Sequence, residues 1–281
     1  MRQIIAAMVI IFMMMPQISC AEEKLFVTDV LEKRDMEIGV SLSYSHFSDE
    51  ISSSSDELNA DRTIDRIGTG YAFNVGLGHG VEMGARTSYL FSERLKIQYP
   101  SVPMTTERAS AEGFGDIALT GKVLIFDERD KPFTLIAGLD VKLDSAPEDE
   151  DGTGTTDIHS SVAASTTLSK GLRPFARYSF VARNHGARDS HEFLFGAEKE
   201  LNKNVGLQAS LEARFHTSSD ALSHYESYHL QVQSYIRICH DFYAVPKVAY
   251  AIRSSADIRK SDRRFDSATS TGLTFGFYYL F

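Results

Sequence analysis

Arg66, Arg86, Lys122, Lys142, Arg214 and Arg237 recur along the chain with Asp116, Asp140 and Glu212, most of them set between small or apolar neighbours. Opposite charges on one face of a wall can pair and brace that wall. They can also line a path and select among solutes, as rings of acidic and basic side chains do in channels. Glu82, Arg177, Arg183 and Glu192 fall in the same pattern. A different chemistry needs a nucleophile and a base, and His159, Ser161, His216 and His229 offer a Ser/His combination. No nucleophile elbow or second catalytic motif accompanies them. The sequence therefore names no catalytic, cofactor-binding or metal-binding residue. The acidic run Glu148-Asp149-Glu150-Asp151 lacks the spaced ligands of a calcium loop and reads as a solvated tip. Cys239 has no partner other than Cys20, so there is no disulfide framework, and it reads as a small buried or lumen-facing side chain.

The elements that would position these charges follow a period of two. Leu207, Ala209, Leu211, Ala213 and Phe215 alternate with Gln208, Ser210, Glu212, Arg214 and His216. Tyr228, Leu230 and Val232 alternate likewise with His229, Gln231 and Gln233. Period-2 alternation over about ten residues marks a strand with one apolar and one polar face. About twelve such strands are predicted, near 36–47, 64–77, 81–92, 114–126, 132–144, 156–168, 174–184, 190–200, 205–217, 225–239, 242–253 and 268–281. Short turns alternate with longer polar connections near 48–63, 93–113, 145–155, 185–189, 218–224 and 254–267. That rhythm predicts an all-β fold, a transmembrane antiparallel up-and-down β-barrel. A soluble sandwich or lipocalin-like barrel would alternate too, but would keep its apolar face inside.

Both ends agree with a membrane barrel. Leu273, Phe275, Phe277, Tyr279 and Phe281 share one face of the last strand, which would be an aggregation edge in water but meets acyl chains in lipid. This strand resembles the signal read by the barrel-assembly machinery, with Phe281 as its terminal residue. At the other end, Arg2, the uncharged run Ile4 to Met15 and Ser19-Cys20-Ala21 are laid out as a secretory signal. Residues 1–21 are assigned to that signal, 22–35 to a short periplasmic segment and 36–281 to the barrel. The rivals are an N-terminal anchor, for which the apolar run is short, and a lipoprotein signal ending on Cys20. Without Arg2, 28 Lys and Arg face 38 Asp and Glu, a formal charge of −10, which argues against nucleic acid as partner. The expected surroundings are outer-membrane lipid and lipopolysaccharide, and the 12 Tyr and 18 Phe must supply the aromatic girdles because there is no Trp.

Residues 113–123, Gly-Phe-Gly-Asp-Ile-Ala-Leu-Thr-Gly-Lys-Val, and the later Gly152-Thr153-Gly154-Thr155-Thr156-Asp157 resemble motifs of an outer-membrane family named for the meta-pathway of phenol degradation. Lys142-Leu143-Asp144-Ser145-Ala146-Pro147 matches a third motif in part. The resemblance implies an outer-membrane barrel that moves small, often aromatic, compounds, and it carries over no catalytic residue. Read physically, Gly113 and Gly115 permit a bend or bulge, while Asp116 and Lys122 share a strand face, for charge pairing or for solute contact. The function expected is passive passage of small solutes through a charged, narrow lumen. The alternatives are a hydrolase with a His-Ser site at the lumen or rim, and a structural barrel without transport.

Overall fold

The computed structural model describes residues 28–53, 59–99, 104–110, 112–146, 154–168, 171–184, 188–219, 223–258 and 263–281. The proposed signal, Cys20 and the acidic run 148–151 lie outside these residues. The strands are β1 (Met36–Ser53), β2 (Ala60–Gly78), β3 (Val81–Tyr99), β4 (Met104–Ser110), β5 (Gly113–Phe114), β6 (Ala118–Phe126), β7 (Thr134–Lys142) and β8 (Asp157–Ser165). They continue with β9 (Leu172–Arg183), β10 (Ser190–Asn202), β11 (Val205–His216), β12 (Tyr225–Cys239), β13 (Phe242–Arg253), β14 (Ala256–Asp257), β15 (Arg263–Phe265) and β16 (Ala268–Leu280).

Every pairing is antiparallel, and β1 bonds both β2 and β16, so the sheet closes on itself. With β4, β5 and β6 counted as one interrupted stave, the ring has twelve. Hairpin chemistry sets the short end. His79 (φ 54°) and Gly80 (φ 71°) form the two-residue turn between β2 and β3 in the left-handed region that such a turn demands. Among the described residues no helix is long and apolar enough to cross a membrane, a finding that does not bear on crossing by strands.

The two faces are inverted relative to a soluble barrel. Leu211 is 49% exposed while its neighbour Glu212 is 2% exposed, and Leu139, Leu230, Val248 and Leu273 repeat the outward apolar pattern. Water would be a poor solvent for this outer face, whereas acyl chains match it. Two aromatic girdles bound it. At the short-turn end Phe242 stacks on Phe277 with ring centroids 5.6 Å apart, and Tyr279 packs edge-on against Phe281 at 4.7 Å. At the opposite end Tyr178, His191 and Phe193 cluster, with the Tyr178 hydroxyl 2.9 Å from His191 Nδ1.

Three connections read as long loops are substantially strand. β1, β2 and β3 run on past the apolar belt, β4 pairs with β3, and β15 pairs with β1. Beyond the belt the outward face turns polar, at His46, Asp65 and Arg94, while Phe47, Ile64 and Leu95 stand on the inward face, so the lipid-facing alternation stops while the backbone ladder continues. Cys239 also departs from expectation: it is exposed, at the end of β12.

Candidate functional site

The lumen has two unlike walls. One, from β3 through β6–β11, carries a chain of neighbouring charged side chains joined across its middle by His159. Arg86 Nη2 donates to Asp140 at 3.1 Å, and His159 lies 3.7 Å from both Asp140 and Glu192. Arg214 sits 3.7 Å from Glu192 and donates to Glu212 at 2.6 Å, and Arg177 donates to Glu212 at 3.2 Å. Nearer the long-loop end, Lys142 Nζ reaches Asp116 at 3.2 Å and Asp157 at 3.5 Å, and Arg183 Nε bonds Asp157 at 3.2 Å. Removing charges such as Glu212 from water is costly, and two guanidinium partners offset that cost.

The other wall, β16, β1 and β2, faces the lumen with Gly276, Ser41, Gly39, Gly70 and Ala72, which stand side by side in register. Small side chains leave room, and a cavity of about 520 Å³ opens against them, reaching Arg86, Asp116 and Lys142 on one side and Glu37 and Tyr278 on the other.

Residues 28–35 lie across the short-turn end as a strap. The Arg34 N–H donates to the Gly76 carbonyl and the Gly76 N–H to the Asp35 carbonyl, each at 2.9 Å. A Cβ on Gly76 would collide with the Glu32 carbonyl, so glycine there admits the strap. Farther along, the Leu31 N–H donates to Glu82 at 3.0 Å, and Leu31, 3% exposed, packs on Tyr243 and Leu280. Asp29 then meets Arg173 of β9 at 3.0 Å, and the Thr28 and Ser165 hydroxyls lie 2.6 Å apart. The strap thus links β2 to staves on the far side of the ring.

The nine charges singled out by sequence are distributed as follows. Arg86 and Asp140 join Glu212 and Arg214 in the long chain, and Asp116 joins Lys142 in the shorter one. Lys122 pairs with Glu82 at 3.4 Å, across the β3–β6 ladder, rather than with Asp116. Asp116 also accepts the backbone N–H groups of Ser145 and Ala146, each at 3.1 Å, where the stave breaks between β5 and β6. Arg66 bonds Glu93 above the belt, and Arg237 lies over the Tyr243 ring at 5.6 Å near the strap. The Ser161 and His216 of the hydrolase alternative are not cross-strand neighbours: Ser161 faces Gly138 and Ser179, and His216 faces Ser190 and Tyr225.

Two clusters escaped the sequence reading. Arg62 grips Asp49 through two bonds of 2.8 and 2.5 Å, Arg253 adds a third at 2.9 Å, and both guanidinium groups lie over Phe47 and Phe265. Near the strap, Gln208, Gln233 and Tyr235 bond one another. Asp49 stands in a segment read as a loop, and the glutamines carry no charge to flag them.

These features define a class: a closed twelve-stranded antiparallel barrel with the fold of outer-membrane barrels and an apolar outer face suited to lipid. Among solved structures, the COG4313 outer membrane channel from Pseudomonas putida F1 superposes with a TM-score of 0.63 at 10% identity, over 92% of this chain and 100% of that one. The transport unit of the autotransporter AIDA-I from Escherichia coli gives a TM-score of 0.58 at 9% identity, over 86% of this chain and 90% of that one. Likeness at such identities is one of fold. The sequence matches no family model and no curated protein.

Proposed function

We propose that the barrel gives small solutes passive passage along its small-residue wall, and that the strap governs the short-turn mouth. The observation that carries this reading is the cavity of about 520 Å³ lying between the Gly/Ser/Ala wall and Arg86. A lumen filled by paired charges all round would brace the barrel and leave no path. The solutes are proposed to include small aromatic or hydrophobic compounds, on the strength of the motif around Gly113, Gly115 and Asp116. Arg66, Arg86, Asp116, Lys122, Asp140, Lys142, Glu212, Arg214 and Arg237 are proposed to border the path. Lipopolysaccharide around the outer girdle and the barrel-assembly machinery acting on β16 complete the proposed partners. Residues 1–21 are proposed as the secretory signal.

A reversible lock tests this reading. Thr28→Cys and Ser165→Cys, placed in a Cys239→Ser background, bring two thiols to a site where the native hydroxyls already meet. Oxidation should hold the strap and lower single-channel conductance in a planar bilayer, and reduction should raise it again. Absence of conductance and of liposome swelling in every form would turn the reading to a structural barrel. Loss of a hydrolytic activity in Ser161→Ala or His216→Ala, with permeability unchanged, would favour an enzyme.

A further inference from the structure

We infer that the cavity is a binding step for small organic anions, with Arg86 as the group that holds the carboxylate or phenolate. The inference rests on the passage reading and adds the chemical class that the path favours. Most charged groups on the cavity are already committed to partners within the wall. Asp116 accepts from Lys142 and from two backbone N–H groups, and Glu37 accepts from the Asn74 side chain at 2.7 Å. Lys142 is divided among Asp116, Asp157 and Thr155. Arg86 differs: its side chain is 55% exposed against 22% for Lys142, and it gives one hydrogen bond, to Asp140.

A guanidinium carries five donors in a planar fork, which suits two-point recognition of a carboxylate. With Asp116 and Glu37 engaged, the most exposed charged group on the cavity is the Arg86 guanidinium, and what it offers an incoming molecule is hydrogen-bond donors. An organic cation would have to compete with Lys142 and two backbone N–H groups for Asp116 and with the Asn74 amide for Glu37, while Arg86 stands exposed to repel it. The rest of the cavity gives room for a carbon body against Ala72, Gly70 and Gly276. Its volume lies within the usual range for small-ligand sites, roughly 300–1,000 Å³.

The experiment uses the purified, detergent-solubilised barrel and three probes of similar size: benzoate, benzyl alcohol and benzylamine. Binding is measured by equilibrium dialysis, independently of any current, and block of single-channel current is measured in parallel. Benzoate should bind most tightly. Arg86→Gln should weaken it by about tenfold, which corresponds to ~1.4 kcal/mol. Arg86→Lys, which keeps the charge and loses the fork, should fall between. Arg129→Gln, an equal loss of charge on an exposed turn, should leave binding unchanged, and heat-shifted gel mobility checks that each variant is folded. Equal binding of all three probes, or benzoate binding unaffected by Arg86→Gln, overturns the anion site. Conductance without benzoate binding sinks the anion site and leaves passage standing. Arg86-dependent binding without conductance or uptake does the reverse.

Discussion

The two walls of the lumen use the same strand alternation to opposite ends. On the β3 and β6–β11 side the inward positions carry large charged groups that neutralise one another from stave to stave. On the β16–β1–β2 side Gly276, Ser41, Gly39, Gly70 and Ala72 hold the middle inward positions, and the space beside them stays open. A barrel of this size has room for one of these solutions all round, filled or hollow. Dividing them by sector gives a stiff half that fixes the shape and an empty half that can hold a molecule. Bracing is thus concentrated in the charged sector and room for solute in the small-residue sector, with Arg86 standing at the border of the two.

The comparison breaks first, and hardest, at Glu212. Glu212→Ala strands Arg177 and Arg214, and loss of a buried partner costs about 3–5 kcal/mol, read as a lowered urea midpoint in detergent or lipid. Replacing all three with apolar residues of similar volume should recover much of that loss.

Next comes the contrast between faces of one strand. Leu211→Arg or Leu139→Arg places a charge on the lipid face and costs ~2–4 kcal/mol near the midplane. Gln231→Arg, which points inward, should be tolerated, whereas Gln208 is bound to Gln233 and Tyr235 and has less freedom to change. Equal damage at Leu211 and Gln231 would reverse inside and outside.

Ala72→Phe fills the hollow wall. Conductance should fall by about tenfold with little change in the unfolding midpoint, since the ring occupies space that nothing else uses. Loss of stability without loss of conductance would mean that the open sector lies elsewhere.

The smallest effect belongs to neither wall. In the exposed turn after β6, the Arg129 guanidinium and then its backbone N–H hold the Asp127 carboxyl below its ordinary range. A lowered folded value means the contribution is present above the ordinary carboxylate value and is lost as pH falls through the lowered one. Asp127→Asn should cost a few tenths of a kcal/mol at neutral pH, on the scale of about 0–1 for surface pairs. The difference from wild type should vanish in acid.

The apolar half of each strand announced itself because lipid imposes one requirement at every outward position, from Leu139 to Leu273. The inner half did not, because register decides which charges meet. Lys122 and Asp116 share a face in sequence, yet the ladder brings Glu82 to Lys122 and leaves Asp116 for Lys142. The extensions of β1–β3 were illegible for a related reason. Asp65 and His46 point outward there and bond each other at 2.8 Å, so an outward position beyond the belt reads as polar. β9 keeps its place in the ladder with Pro174 opposite Ala197. The Gly/Ser/Ala wall was visible as alternation, but a small residue says only that space is left, and not that neighbouring staves leave it together. The strap had no signal, since its eight residues show no periodicity.

The seat for Leu31 is assembled from distant stretches of chain: Glu82 near its start, Tyr243 and Leu280 near its end. The Met36 N–H and carbonyl exchange bonds with Phe281 at 3.3 and 2.8 Å, so the last joint of the ring is made beside the point where the strap turns inward. A one-residue slip at that joint would carry Leu280 to the lipid face and dissolve the seat. The docked strap is thus a readout of correct closure: protease resistance of residues 28–35 should arise only after the first and last staves have joined in register.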